Sequence, residues 1–146
     1  MPVLPVYVAQ YYVGHNSRGV LPYGWHIIVH VGFDERGEPV GHAYYVTGST
    51  AKGWMFQVRR STAYRSGSRY RGCSRVGTMD KGDLEELERQ LSRAEIVNRE
   101  SSWNYQSWAC GALRRLHAQG FEIDDLVWRR MGAVMRGAED VYNMEY

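Results

Sequence analysis

The residues best suited to chemistry fall in two places. His26, His30 and His42 lie in the first third of the chain, and Asn104-Tyr-Gln-Ser-Trp108 lies in the last. An imidazole can move a proton near neutral pH or ligate a metal. Alternation puts His26 and His30 on one face of an extended segment, with His42 on the next segment. No carboxylate or thiolate stands at a ligand spacing from them, so no metal site and no cofactor is expected. The second place opens a helix, where the N-terminal dipole favours an anion and lowers the pKa of an acidic side chain. A side chain there that faced a sheet histidine would have the geometry of an activated thiol nucleophile. The residue is Tyr105, whose phenol ionises near 10 when unperturbed and is a poor nucleophile at neutral pH. Cys110 is about 140° around the helix from it and cannot take over.

The elements that must position these residues read as strands first and helices after. Residues 5–13 are extended, and Gly14–Gly24 is rich in turn formers. Trp25–Gly32 alternates, with Trp25, Ile27, Val29 and Val31 opposite His26, Ile28 and His30. A polar turn over 34–39 leads to a strand over 40–47, so that 25–47 forms an antiparallel hairpin. A third strand is predicted over 54–60, an exposed Ser/Gly/Arg loop over 61–71, and a returning strand over 73–78. Asp80 or Asp83 then caps a helix marked by Leu84, Leu87 and Leu91. Ser101 or Ser102 caps another over about 103–119, with Tyr105, Trp108, Ala109, Ala112, Leu113 and Leu116 on one stripe. A last helix is predicted over about 124–135. This order predicts an α+β domain spanning 1–146, an antiparallel β-sheet with helices packed on one side.

The chain has 146 residues, 44% hydrophobic and 23% charged, which suits one globular domain and excludes a disordered or collagen-like chain. No apolar run approaches the ~20 residues of a membrane helix, and Met1–Gly14 lacks the pattern of a signal peptide. Two cysteines are too few for a disulfide scaffold. A soluble, cytoplasmic protein is expected. Of the 18 basic residues only Lys52 and Lys81 are lysines. Between Lys52 and Met79 there is no acid, and the seven cations of that stretch are interleaved with Trp54, Phe56, Tyr64 and Tyr70. Such a segment suits a nucleic-acid backbone, or a lid over an acidic small molecule. No nucleic-acid recognition motif accompanies it.

The segment His26-Ile-Ile-Val-His-Val-Gly32 resembles the histidine strand of the lecithin:retinol acyltransferase-like proteins, members of the circularly permuted papain-like superfamily. Asn104-Tyr-Gln-Ser-Trp108 resembles the motif that opens their nucleophile helix, and the chain order agrees. The resemblance implies a permuted papain-like fold with His26, Tyr45 and Tyr105 in the catalytic positions. Tyr105 then stands where the cysteine would be, and Tyr45 where the second histidine would be. It therefore implies a degenerate member, in which a His26–Tyr105 cleft binds or transforms a small molecule or an acyl or peptide group without a thiol. Asn104, Gln106, Trp108, His42 and Trp25 would be its substrate contacts. Three readings stay open: a binding-only relative, non-thiol acid–base catalysis by Tyr105 and His26, and a Tyr105 that is simply a core aromatic. Nucleic-acid or anionic-ligand binding by segment 52–75 is the alternative.

Overall fold

The computed structural model describes residues 2–98, 100–124 and 130–145. Its centre is a six-stranded antiparallel sheet with three helices packed against it. The strands are β1 (Val3–Tyr11), β4 (Gly24–Phe33), β5 (Pro39–Ser49), β6 (Gly53–Thr62), β7 (Tyr70–Asp80) and the short β8 (Glu122–Ile123). Two further two-residue strands, β2 (His15–Asn16) and β3 (Gly19–Val20), pair only with each other. The spatial order is β6-β5-β4-β1-β7-β8. The helices are α1 (Leu84–Ser92), entered through a 3-10 turn over Lys81–Asp83, α2 (Tyr105–Ala118) and α3 (Met131–Glu145).

Alternation divides the sheet into two unlike faces. Val6, Val8, Trp25, Ile27, Val29, Tyr44 and Val46 form one, and it is covered by Leu87 and Leu91 of α1 and by the Trp108–Leu116 stripe of α2. Each such aliphatic side chain, fully removed from water, contributes about 1.5–3 kcal/mol. The other face carries Tyr7, Ala9, Tyr11, Ile28, Ala43, Tyr45 and Cys73, a smaller and more polar set. Among the described residues no helix lies along it. α3 crosses between the two at the β7 border: Met131, Met135 and Ala138 join the first cluster, while Tyr142 packs against the second. The buried Gln10 fastens α3 there, its amide donating to Met135 O at 2.7 Å and Arg71 O at 3.0 Å. Helices segregated to one side therefore describes α1 and α2, and α3 wraps the sheet's border.

Several boundaries differ from the sequence reading. α2 is capped by Asn104 rather than Ser101 or Ser102: Asn104 Oδ1 accepts from the backbone of Gln106 and Ser107, and Ser107 Oγ accepts from Asn104 N. Neither Asp80 nor Asp83 makes a side-chain cap. The last helix runs from Met131 to Glu145, because Met131, Met135, Ala138 and Tyr142 continue one stripe past Gly137. Residues 125–129 of the predicted helix lie outside the described residues. The predicted loop over 61–71 shrinks to 63–69, since β6 and β7 extend into it from both ends.

That short segment has an unusual path. β6 is the outermost strand on one side, and β7 lies beyond β5, β4 and β1. Residues 63–69 must therefore cross over three strands, and they do so on the polar face. Tyr64, only 4% exposed, presses onto that face with its hydroxyl 3.0 Å from His30 Nδ1. At the far end Arg69 O accepts from Tyr12 N at 2.7 Å. The crossing segment is a strap.

Candidate functional site: a strapped pocket on the polar face of the sheet

His26 and Tyr105 do not meet. Trp25 and Ile27 point to α2, so their neighbour His26 points away from it, and the sheet lies between the two proposed partners. Tyr105 packs edge-on to Trp54, with ring centroids 5.7 Å apart, and its hydroxyl donates to Pro22 O at 2.5 Å. Burial raises its pKa further. The other helix-side candidates are structural as well. Trp25 and Trp108 are core side chains, 6% and 1% exposed. Asn104 is the helix cap, and Gln106 Nε2 donates to Tyr23 O at 2.9 Å. His42 Nδ1 accepts from Ser61 N at 3.1 Å, beside a cluster in which Tyr44 and a two-pronged Arg60 both donate to Glu88. The expected cleft is thus replaced by a packed core.

The pair that does meet is His26 and Tyr45. Their rings stack at 4.0 Å between centroids and 9° between planes, and Tyr11 lies against the other side of His26 at 4.5 Å. His42 and Tyr45 lie on opposite faces, as alternation requires, because Val29, opposite His42, belongs to the helix-side core. The His26–Tyr45 stack is part of the floor of a pocket of about 520 Å3 between the sheet and the strap. Thr62, Ala63, Tyr64 and Ser66 to Arg69 supply the strap wall, and Arg59 enters from β6. Gly67 turns the strap at a φ of 92°, a conformation side-chain-bearing residues rarely adopt.

The electrostatics of this pocket are one-sided. Its lining includes Arg59 and Arg69 and no Asp or Glu, and neither arginine is in an ion pair among the described residues. Removal from water, with a smaller effect of Arg59, holds the His26 imidazole down to about 3, so it is neutral at physiological pH. Burial pushes the phenols of Tyr11 and Tyr64 up. The pocket therefore offers cations, aromatic rings and hydroxyls. Its one histidine does not change protonation near neutral pH. Cys110, on the other side of the sheet, is pushed up to about 11 by burial and is no thiolate. Among the described residues no group of three or more His, Cys, Asp or Glu is placed to hold a metal ion. No helix among them is long and apolar enough to cross a membrane.

Sequence reasoning missed Tyr11, Tyr64, Arg59 and Arg69 as one site. Two signals were present: the acid-free stretch between Lys52 and Met79, and the alternation that set His26 opposite Trp25 and Ile27. An apolar stripe on α2 must meet the apolar face of β4, which already turns His26 away.

No curated protein and no solved structure matches this chain. One family model does, over residues 6–121, a span that runs from β1 through α2 and includes every lining residue of the strapped pocket. The chain belongs to DUF6540, a family of unknown function.

Proposed function

We propose that this protein binds an anionic small molecule with a flat aromatic body in the strapped pocket. The observation that carries the reading is the pair Arg59 and Arg69 lining, with no acid, a pocket floored by the stacked His26–Tyr45 rings. Both arginines are exposed along the pocket, and with no acid beside them there a bound anion would gain charge-assisted hydrogen bonds from their guanidinium groups. The stacked rings present their edges to the pocket, and a ligand's aromatic body can pack on such edges in the edge-to-face arrangement that aromatic pairs favour. A volume of about 520 Å3 falls in the range of small-ligand sites.

The role is binding rather than catalysis. A general base works best with a pKa near the operating pH, and His26 lies several units below it. Phenols with raised pKa are correspondingly weak acids and nucleophiles. The permuted papain-like likeness stays a proposal about descent and supplies no part of this site, since its nucleophile position, Tyr105, is on the other side of the sheet. Single-stranded nucleic acid is the second reading, supported by the same arginines and by the interleaved Tyr64 and Tyr70.

Calorimetric titration with benzoate, phenyl phosphate, adenosine monophosphate and a short oligonucleotide tests both. Binding of at least one aromatic anion is expected, falling at least tenfold in Arg59→Met and weakening with salt. If the wild type binds none of these probes, or binds them no better than the Arg59→Met, Arg69→Met double variant, the proposal is wrong. Binding of the oligonucleotide alone would favour the second reading.

A further inference from the structure

The two borders of the sheet are treated differently. Beyond β7 the chain places β8 and α3, so that side is covered. Beyond β6 the described residues place one group only: Asn98 Oδ1 accepts from Trp54 N at 2.8 Å. That bond shows which way the strand faces. Trp54 N points outward, whereas Gly53 O points so directly at β5 that a Cβ on Gly48 would lie 2.0 Å from it. In an antiparallel pair such orientations alternate, so the N–H and C=O groups of Phe56 and Val58 also point outward. Among the described residues nothing pairs with them. The free stretch is bounded, by Asn98 at one end and by a bulge at Arg60–Ser61 at the other, where Ser61 N turns to His42.

Free, regular borders of this kind template further pairing, and proteins ordinarily blunt them with charge, proline or a cover. Between the Asn98 cover and the bulge, this one is not blunted. Its segment Phe56-Gln57-Val58 is neutral and has no proline, and Met55 and Val58 are 65% and 38% exposed. The neighbouring cations are turned elsewhere, Arg60 to Glu88 and Arg59 to the strapped pocket.

We propose that β6 pairs antiparallel with β6 of a second copy of this chain, joining two sheets into one of twelve strands about a two-fold axis through Gln57. In this register Phe56 stands opposite the partner's Val58 and Val58 opposite the partner's Phe56. Two apolar pairs and four backbone hydrogen bonds result, and Gln57 faces the partner's Gln57 on the axis. The register also keeps like charges apart. Arg59 lies opposite the partner's Met55, so the two Arg59 side chains are about four residues, roughly 13 Å, apart along the strands. That exceeds the screening length of about 8 Å at physiological salt. An acidic peptide has less to recognise here, since Arg60 is paired with Glu88 and Arg59 is turned to the strapped pocket. The proposal is independent of what the pocket binds.

Sedimentation equilibrium over a concentration series tests it. The wild type should shift from 16.8 kDa toward twice that mass as concentration rises. Val58→Pro removes an outward donor and no β5–β6 bond, and should stay monomeric with its circular dichroism unchanged. Mild oxidation reads the register independently of that variant. Gln57→Cys should form a disulfide dimer, because facing residues of a non-hydrogen-bonded pair lie at disulfide distance, whereas Met55→Cys should not. The wild type, with its own Cys73 and Cys110, is the control. A wild type that stays monomeric overturns the proposal. So does a Val58→Pro variant that dimerises like the wild type, or Met55→Cys cross-linking as readily as Gln57→Cys.

Discussion

His26 sits between Tyr45 and Tyr11, and its removal from water, with a smaller effect of Arg59, disfavours a positive charge on it. Unfolded, its imidazole titrates near 6.5; folded, at about 3. Between those values the unfolded chain holds a proton that the folded chain refuses, so stability is complete above pH 6.5 and declines as pH falls toward 3. Allowing for the ring's partial exposure, the loss on going to pH 4 is about 2 kcal/mol. Urea unfolding at pH 7 and pH 5 should show a lower midpoint at pH 5 in the wild type and a smaller difference in His26→Phe. Identical pH dependence in both proteins would contradict this account. Glu88, held low chiefly by Arg60, contributes its own decline only in the carboxylate range. Tyr105→Phe makes the complementary case at the same scale. It removes one hydrogen bond to Pro22 and should leave ligand affinity within twofold of the wild type, measured by the same titration.

Among the elements, α2 best separates local chemistry from long-range placement. Its buried stripe was legible residue by residue, because five apolar positions at helical spacing admit one face. Its start was misread, since Ser101, Ser102 and Asn104 are all good caps and only packing selects among them. Asn104→Ala should therefore lower stability by about 1 kcal/mol in thermal unfolding and leave ligand binding intact. A loss of binding with unchanged stability would return Asn104 to a functional role. The strap was legible as composition and not as position. Its Ser, Gly and Arg content reads as a solvated loop, and nothing local reports that its two ends belong to strands separated by three others. Likewise the strand containing Gly53–Thr62 was expected, but not that it would be outermost. Strand order is a long-range property, set here by β1 pairing with both β4 and β7.

At the scale of the whole molecule, the α+β class followed from the sequence, the strands-then-helices order held except for β8, which falls between α2 and α3, and the site did not follow. The short histidine and Asn-Tyr-Gln motifs drew attention to the helix side of the sheet, which the structure fills with tryptophan and leucine. α3 lies outside the span of the family match, yet it closes the β7 border and receives the amide of the buried Gln10. A chain ending at residue 130 should accordingly unfold at lower temperature than the full chain and expose Tyr70 to solvent, read by calorimetry and tyrosine fluorescence. An unchanged transition would show that α3 is an ornament. The strap has a last consequence, which concerns routes rather than affinities. Both of its ends run directly into strands, so it cannot swing open on hinges as a lid does. It spans the pocket like the handle of a basket. A small molecule can slide in from the side, but the middle of a long polymer cannot be lowered through the handle and would have to be threaded from an end. The pocket thus selects by topology as well as by charge, for single molecules and chain termini over the interior of any strand.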